Sequence, residues 1–328
     1  MSRGHKVVVA STSSGMHGER LVTDNDWRFP VVRFQSVSIP AVPYSYTPFA
    51  GNALINLARE FQPDIIHTHF LMYWLSLNSY QLTKYGWPLI LTLHGFTLPN
   101  EPLSWPSGIA LKFLYYTMGA NLVNSASHVL GVSEHIITKF KSAYPNLACP
   151  TNLMPIGVNT RFLERTLTRS REDIRSELGF DDKRVFVYLG RVVREKGMSE
   201  LAIAFRELKK RNQNVGLLVI GDGNFDPIMR KLLRNVSDVQ MVGFKENIGT
   251  YLNASDVFVL PSYREGLPTA LLEAMYFKLP FISTGVGGIS DVRKMGAQGS
   301  IVPVENTLKL YQEMERFGNL NSSILQDM

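Results

Sequence analysis

The chain has 328 residues, 45% of them apolar, which is enough for about two domains with a core each. Its net charge of +6 arises without a run of about five like charges, so a nucleic-acid tail is excluded, while a phosphorylated small ligand or an acidic membrane surface suits the excess. A single cysteine, Cys149, permits neither an internal disulfide nor a cysteine-based zinc site and favours a reducing compartment.

The first residues, Met1 to Lys6, lack the apolar core of a signal peptide. Short apolar and β-branched runs predict strands at Lys6 to Ala10, Val31 to Phe34, Asp64 to His67, Leu89 to Leu93 and His128 to Val132. The stretch Phe113 to Ser133 carries no formal charge. Asn121, Asn124, Ser125, Ser127 and His128 interrupt it, so it reads as helix then strand rather than a bilayer span. Further strands are predicted at Val185 to Leu189, Gly216 to Ile220, Val239 to Val242, Val257 to Leu260 and Phe281 to Thr284. Between them Met198 to Arg211 repeats apolar residues at helical spacing, with Lys209, Lys210 and Arg211 in its last turn. Continuous apolar strands alternating with helices imply an α/β fold: two doubly wound domains with parallel sheets, facing each other. Charged residues are sparse through residue 165, 20 of 62, and all four tryptophans, Trp27, Trp74, Trp87 and Trp105, fall there. That aromatic half either binds something sugar-like or greasy or has an aromatic core.

Ligands of doubly wound sheets bind beyond the carboxyl ends of the strands, so the loops after strands hold the candidate residues. Leu189-Gly190-Arg191 through Lys196-Gly197 is a strand end, a glycine turn and cations before a helix N-terminus. Arg191 offers a planar fork and Lys196 a point charge beside helix amides, which together suit an anion. The next such segment runs Pro261-Ser262-Tyr263-Arg264-Glu265-Gly266-Leu267-Pro268 and on into a helix containing Glu273. Both glutamates can face one crevice, with the Gly266 and Leu267 amides between them. Glu273, among Leu271, Leu272, Ala274 and Met275, is a costly carboxylate unless something such as a ribose diol binds it. The alternatives are a surface salt bridge for Glu273 and compensation of the helix dipole by Glu265. Gly285-Val286-Gly287-Gly288 and Gly221-Asp222-Gly223 are weaker turns that suit a diphosphate or a nucleobase.

In this order, and with Val242-Gly243-Phe244, Ala254 through Ser262, Pro63 through His69, His94-Gly95, Val132-Ser133-Glu134 and Pro155 through Asn159, the motifs resemble the glycosyltransferases of family 4. The resemblance implies the GT-B fold, with two Rossmann-like domains across a cleft: an acceptor-side domain at 1–160 and a nucleotide-sugar-binding domain at 161–328. It implies a retaining transfer of sugar from a nucleoside-diphosphate sugar to a glycan or lipid-linked acceptor. No metal and no cofactor beyond that co-substrate are expected, nor is nucleic acid a partner. Arg191 and Lys196 would neutralise the diphosphate, Glu273 would hold the ribose, and Glu265 would contact the transferred sugar. His94 would approach that sugar from the other domain. Gly221, Gly223, Phe244, Gly266 and Leu267 complete the donor-binding set, and His94, Glu265, Arg191 and Lys196 the catalytic one. Against the family pattern, a first strand, glycine-rich loop and helix are expected before Gly4 to Val7, and closing helices after Leu308 to Arg316; the N-terminal domain thus reads as lacking its first strand.

Rival readings start from the same residues. Asp24-Asn25-Asp26 has the spacing of metal-binding carboxylates, and His67, His69 and His94 have the chemistry of a zinc site. Other activities on this fold are epimerisation or hydrolysis of a nucleotide sugar, or binding without catalysis. Finally, Leu103 to Gly108 and the run Ile109 to Met118 place Trp105 and Lys112 beside apolar residues, which suits either a core helix or contact with a bilayer surface. The expected location is cytoplasmic, peripheral at the inner face of the membrane.

Overall fold

The structure, a computed structural model, describes residues 4–14, 21–22, 29–37, 46–71, 73–95 and 115–321. The chain divides into two compact units, Met1–Pro155 and Ile156–Met328.

In the first unit the described strands form two sheets. β1 (Val9–Ser14) pairs in parallel with β3 (Val31–Ser36), and β2 (Leu21–Val22) pairs antiparallel to β3. The other sheet is wholly parallel, in the order β4 (Ile66–His69), β5 (Leu89–Leu93), β6 (His128–Gly131), β7 (Thr151–Leu153). β1 and β4 begin later than the apolar runs suggest, at Val9 rather than Lys6 and at Ile66 rather than Asp64. Both shifts have one cause. The Val9 amide donates to the Pro30 carbonyl and the Ile66 amide to that of Pro88, at 2.9 Å each. Proline has no N–H to continue either ladder backwards.

The second unit holds β8 (Arg184–Leu189), β9 (Val215–Ile220), β10 (Val239–Gly243), β11 (Val257–Leu260), β12 (Phe281–Thr284) and β13 (Gly299–Val302). All are parallel, in the order β10-β9-β8-β11-β12-β13. This is the doubly wound order 3-2-1-4-5-6, in which the direction of travel reverses between β8 and β11. Every residue of β9 is buried, as helices on both faces require. The helix Met198–Arg211 buries Leu201, Ala204, Phe205 and Leu208, each contributing about 1.5–3 kcal/mol for an aliphatic or aromatic side chain of full size.

Asp256, just before β11, sets the central pairing. Its carboxylate accepts from the Val185 amide at 2.7 Å and is held by Arg171 at 2.5 Å and Arg175 at 3.3 Å, while its own amide donates to the Val185 carbonyl at 2.9 Å. β8 and β11 are thereby pinned at one end, so the loops at the other end are held in fixed register.

Candidate functional site

The loops that follow β8 and β11 flank the reversal point, where a crevice opens in sheets of this order. They are joined through the backbone. The Tyr263 amide donates to the Glu195 carbonyl at 2.8 Å. Gly197 has φ +72°, and a Cβ there would lie 2.1 Å from the Pro261 carbonyl oxygen, so only glycine permits the approach. The loop after β9 is tied to the loop after β8 by Val192 N to Asp222 O, 2.8 Å, and Phe225 N to Val192 O, 2.9 Å. Gly221 N donates to Gly243 O at 2.8 Å, and Gly288 N to Gly266 O at 2.6 Å, which brings in the ends of β10 and β12.

On this base Lys196 Nζ donates to Glu265 Oε1 at 2.6 Å. The lysine side chain is 19% exposed and the glutamate 8%. Two residues that the motifs place 69 positions apart are thus one ion pair. Arg191, in the same loop, is 71% exposed and lies 3.7 Å from Glu195. Its carbonyl accepts from the hydroxyl of buried Tyr188 at 2.6 Å, which fixes the backbone and leaves the guanidinium projecting. Glu273 sits half-buried on the helix Thr269–Tyr276. Burial pushes its carboxyl pKa up, and it makes no hydrogen bond or ion pair among the described residues. Phe244, following Gly243 at φ +71°, is 70% exposed. Gly221 and Gly223 lie where added Cβ atoms would meet the carbonyl oxygens of Gly190 and Val192, at 2.0 and 2.3 Å. Leu267 is buried, and Gly266 supplies the carbonyl that receives Gly288.

Tyr263 and Glu200 were not singled out from the sequence. The Tyr263 hydroxyl donates to Glu200 Oε1 at 2.9 Å, and the other carboxylate oxygen of Glu200 is buried without a partner among the described residues. Burial, then this hydrogen bond, pushes the Tyr263 pKa up to about 12, so it remains a donor. The signal available was Glu200 in the first turn of a helix that follows an anion loop, an acid where an anion would compete. Tyr263→Phe is expected to destabilise the chain by about 1–3 kcal/mol, the range for stranding a buried acceptor. Denaturant unfolding that gives the same midpoint as the parent chain would contradict that assignment.

In the first unit His94 follows β5. Its Nε2 lies 2.9 Å from Nδ1 of His69, and His67 Nε2 is 2.7 Å from Thr92 Oγ1. The Phe70 ring packs 4.9 Å from that of His94. Burial holds all three imidazoles below the ordinary 6.5, with His67 and His94 lowered further by their histidine neighbours. Protons therefore bind the unfolded chain first as pH falls. The stability these residues contribute is complete above about pH 6.5 and is lost progressively below it. The melting temperature should drop on acidification from about pH 7 to about pH 5.5, and less so in His67→Gln; parallel curves would remove the cluster as the cause. The imidazoles engage one another and Thr92, and among the described residues no three His, Cys, Asp or Glu side chains are disposed to hold a metal ion. Asp24, Asp26 and the segment with Trp105 and Lys112 lie outside the described residues. Among the described residues no helix is long and apolar enough to cross a membrane.

Comparison with known proteins adds to this geometry. TuaC of Bacillus subtilis, named for teichuronic acid biosynthesis, is 34% identical over 241 residues, which is 71% of this chain and 56% of that protein. The alpha-D-kanosaminyltransferase of Streptomyces kanamyceticus is 30% identical over 161 residues, 48% of this chain and 42% of the relative. The chain thus spans about half the length of the curated relatives it matches. In fold it is similar to Anabaena HepE, solved in complex with UDP, with a TM-score of 0.69 at 20% identity over 89% of this chain and 76% of that one. It is similar also to a sucrose-phosphate synthase from Thermosynechococcus elongatus, with a TM-score of 0.74 at 20% identity over 96% and 80%. These neighbours are GT-B proteins, and the α/β architecture is theirs. Residues 1–162 match the family described as Glycosyltransferase Family 4 and residues 170–323 that described as Glycosyl transferases group 1, and the chain belongs to this glycosyltransferase family.

Proposed function

We propose that the protein transfers a sugar from a nucleoside-diphosphate sugar to a glycan or lipid-linked acceptor with retention of anomeric configuration. Residues 161–328 handle the donor and residues 1–160 the acceptor. The observation that carries this reading is the Lys196–Glu265 pair at the strand-order reversal of the second unit, 2.6 Å apart and mostly buried. A diphosphate entering there would take over Lys196 as counter-ion. Glu265, released, is then free to accept hydrogen bonds from hydroxyls of the transferred sugar. Arg191 projects from the same loop as a second cation, and Glu273 offers a carboxylate to the vicinal ribose hydroxyls. As the glycosidic bond breaks, charge building on the departing phosphate is met by cations that need no reorganisation. The leaving oxygen would take the acceptor proton on the same face, which gives retention.

HepE, solved also in complex with UDP-glucose, supports a UDP-sugar as donor. Relatives named for teichuronic acid and for capsular polysaccharide biosynthesis, the latter CapM of Staphylococcus aureus, support a glycan acceptor. The test is calorimetric binding of UDP-, GDP- and ADP-sugars to the chain, followed by NMR assignment of the product anomer. Transfer is expected to survive EDTA, because cations of the protein occupy the leaving-group side. Absence of any nucleotide binding, or an inverted product, would overturn the reading.

A further inference from the structure

At the opposite end of the second sheet from these loops, a hollow of about 630 Å³ is walled by Arg206, Lys209, Lys210, Lys231 and Arg234, with the remainder neutral and no acid among its lining residues. It adjoins Gln213, which precedes β9, and Ser237, which precedes β10. β9 is six residues long, so at about 3.3 Å per residue roughly 20 Å of strand lies between this hollow and the loop at Gly221.

The floor is built rigidly. Lys209 is 5% exposed and gives its ammonium protons to Asp238 at 2.5 Å, to Gln213 O at 2.6 Å and to Val215 O at 3.0 Å. Asp238 holds φ +57°, an unusual conformation for an aspartate; burial pushes its carboxyl up, but Lys209, then a hydrogen bond from Ser237 and then Lys183, keep it below the ordinary range. Lys209 is therefore saturated, and the rim is what remains available. Lys210 is shared with Glu207 at 2.8 Å, and Arg206 reaches the same carboxylate at 3.7 Å. Lys231 and Arg234 are exposed and have no acidic partner among the described residues.

Compensation of helix dipoles accounts for cations in the last turns of Met198–Arg211 and Asp226–Leu232. It does not account for Arg206, one turn earlier, or Arg234, beyond the helix end. Two planar guanidinium forks and two ammonium groups around one concavity suit the multiply charged oxygens of a tetrahedral phosphate. The hollow is open to solvent, which suits a charged group that docks on the surface rather than an enclosed apolar ligand. We infer that this hollow is a second anion site, taking a phosphate-bearing ligand of at least two negative charges, and separate from the loops after β8 and β11. Phosphate of that kind reaches a protein either free, as an ester or pyrophosphate, or as a lipid headgroup.

The probe is inorganic pyrophosphate, titrated calorimetrically into the full chain, into Lys231→Gln/Arg234→Gln and into Lys196→Ala. The exposed pair can be replaced without touching a core, and an unchanged melting curve checks this. The double variant should lose one of two binding events, by about ten-fold or more in affinity, while Lys196→Ala loses the other. Pyrophosphate binding that is identical in parent and double variant overturns the inference. Identical binding in parent and Lys196→Ala instead overturns the donor site, so the two readings fail separately. Sedimentation with phosphatidylcholine vesicles, with and without phosphatidic acid, whose headgroup is a phosphate monoester, separates the sources. Retention on anionic vesicles that the double variant loses identifies a headgroup, and pyrophosphate binding without retention identifies the free phosphate.

Discussion

Replacing Lys196 with alanine is expected to weaken nucleoside-diphosphate binding by about 1.5–3 kcal/mol, or roughly ten- to a hundred-fold, the range for a lost charge-assisted hydrogen bond. The same change strands Glu265, whose side chain is only 8% exposed and whose partner was 2.6 Å away, and removing one member of a buried pair costs about 3–5 kcal/mol of stability. The two losses can be pulled apart. In Lys196→Ala/Glu265→Gln the buried charge is gone, so unfolding free energy should return toward the parent value while diphosphate affinity stays low. If calorimetry finds the folded single variant binding as tightly as the parent, Lys196 is a structural cation and the proposed donor contact is wrong.

Glu273→Gln should move stability and binding in opposite directions. Its carboxyl pKa is raised by burial, so the unfolded chain gives up that proton first as pH rises. The contribution of Glu273 to stability is therefore complete below the ordinary carboxylate range and is lost as pH rises through the raised value. At neutral pH, above the ordinary carboxylate range, the buried carboxyl is a cost, and the glutamine variant should melt higher than the parent. Donor affinity should fall by about 1.5–3 kcal/mol, since a charged acceptor for the ribose hydroxyls has been removed. Much less of that loss should appear with a 2′-deoxynucleotide. A variant that melts lower, or discriminates equally against ribose and deoxyribose ligands, would place Glu273 in the framework rather than the site.

The second unit was readable because parallel strands covered on both faces appear as unbroken apolar runs. Val257 to Leu260 and Phe281 to Thr284 are found with the expected ends. β13, Gly299–Val302, was missed. It is an edge strand, paired only to β12, and its first three residues are partly or fully exposed, so nothing forces an apolar run. β7 was missed for the same reason. β1 was misplaced because pairing, rather than hydropathy, decides where a strand begins: the polar Ser11 to Ser14 lie opposite Arg33 to Ser36, while apolar Val7 remains exposed. In the site, residue types and their order were legible from the spacing of glycines, cations and glutamates. The coupling of Lys196 to Glu265, and of Glu200 to Tyr263, was not. Each joins loops that only the reversed strand order brings side by side, and no local pattern encodes a partner more than sixty positions away.

The central position of β8 also governs the order in which the second sheet can be made. Its first neighbour, β9, follows shortly, but the hydrogen bond that ties Val185 to Asp256 spans 71 positions. During synthesis, β8 and β9 are complete well before β11 emerges, and until then one side of β8 is an open edge of buried-type residues, Val185, Phe186 and Val187. Such an edge is a template for pairing with other chains, and the long separation makes its closure slow. Chaperone dependence should therefore be concentrated in the interval between translation of Leu189 and of Leu260, and a substitution that weakens Asp256 should lower the yield of folded protein more than its effect on the finished molecule suggests.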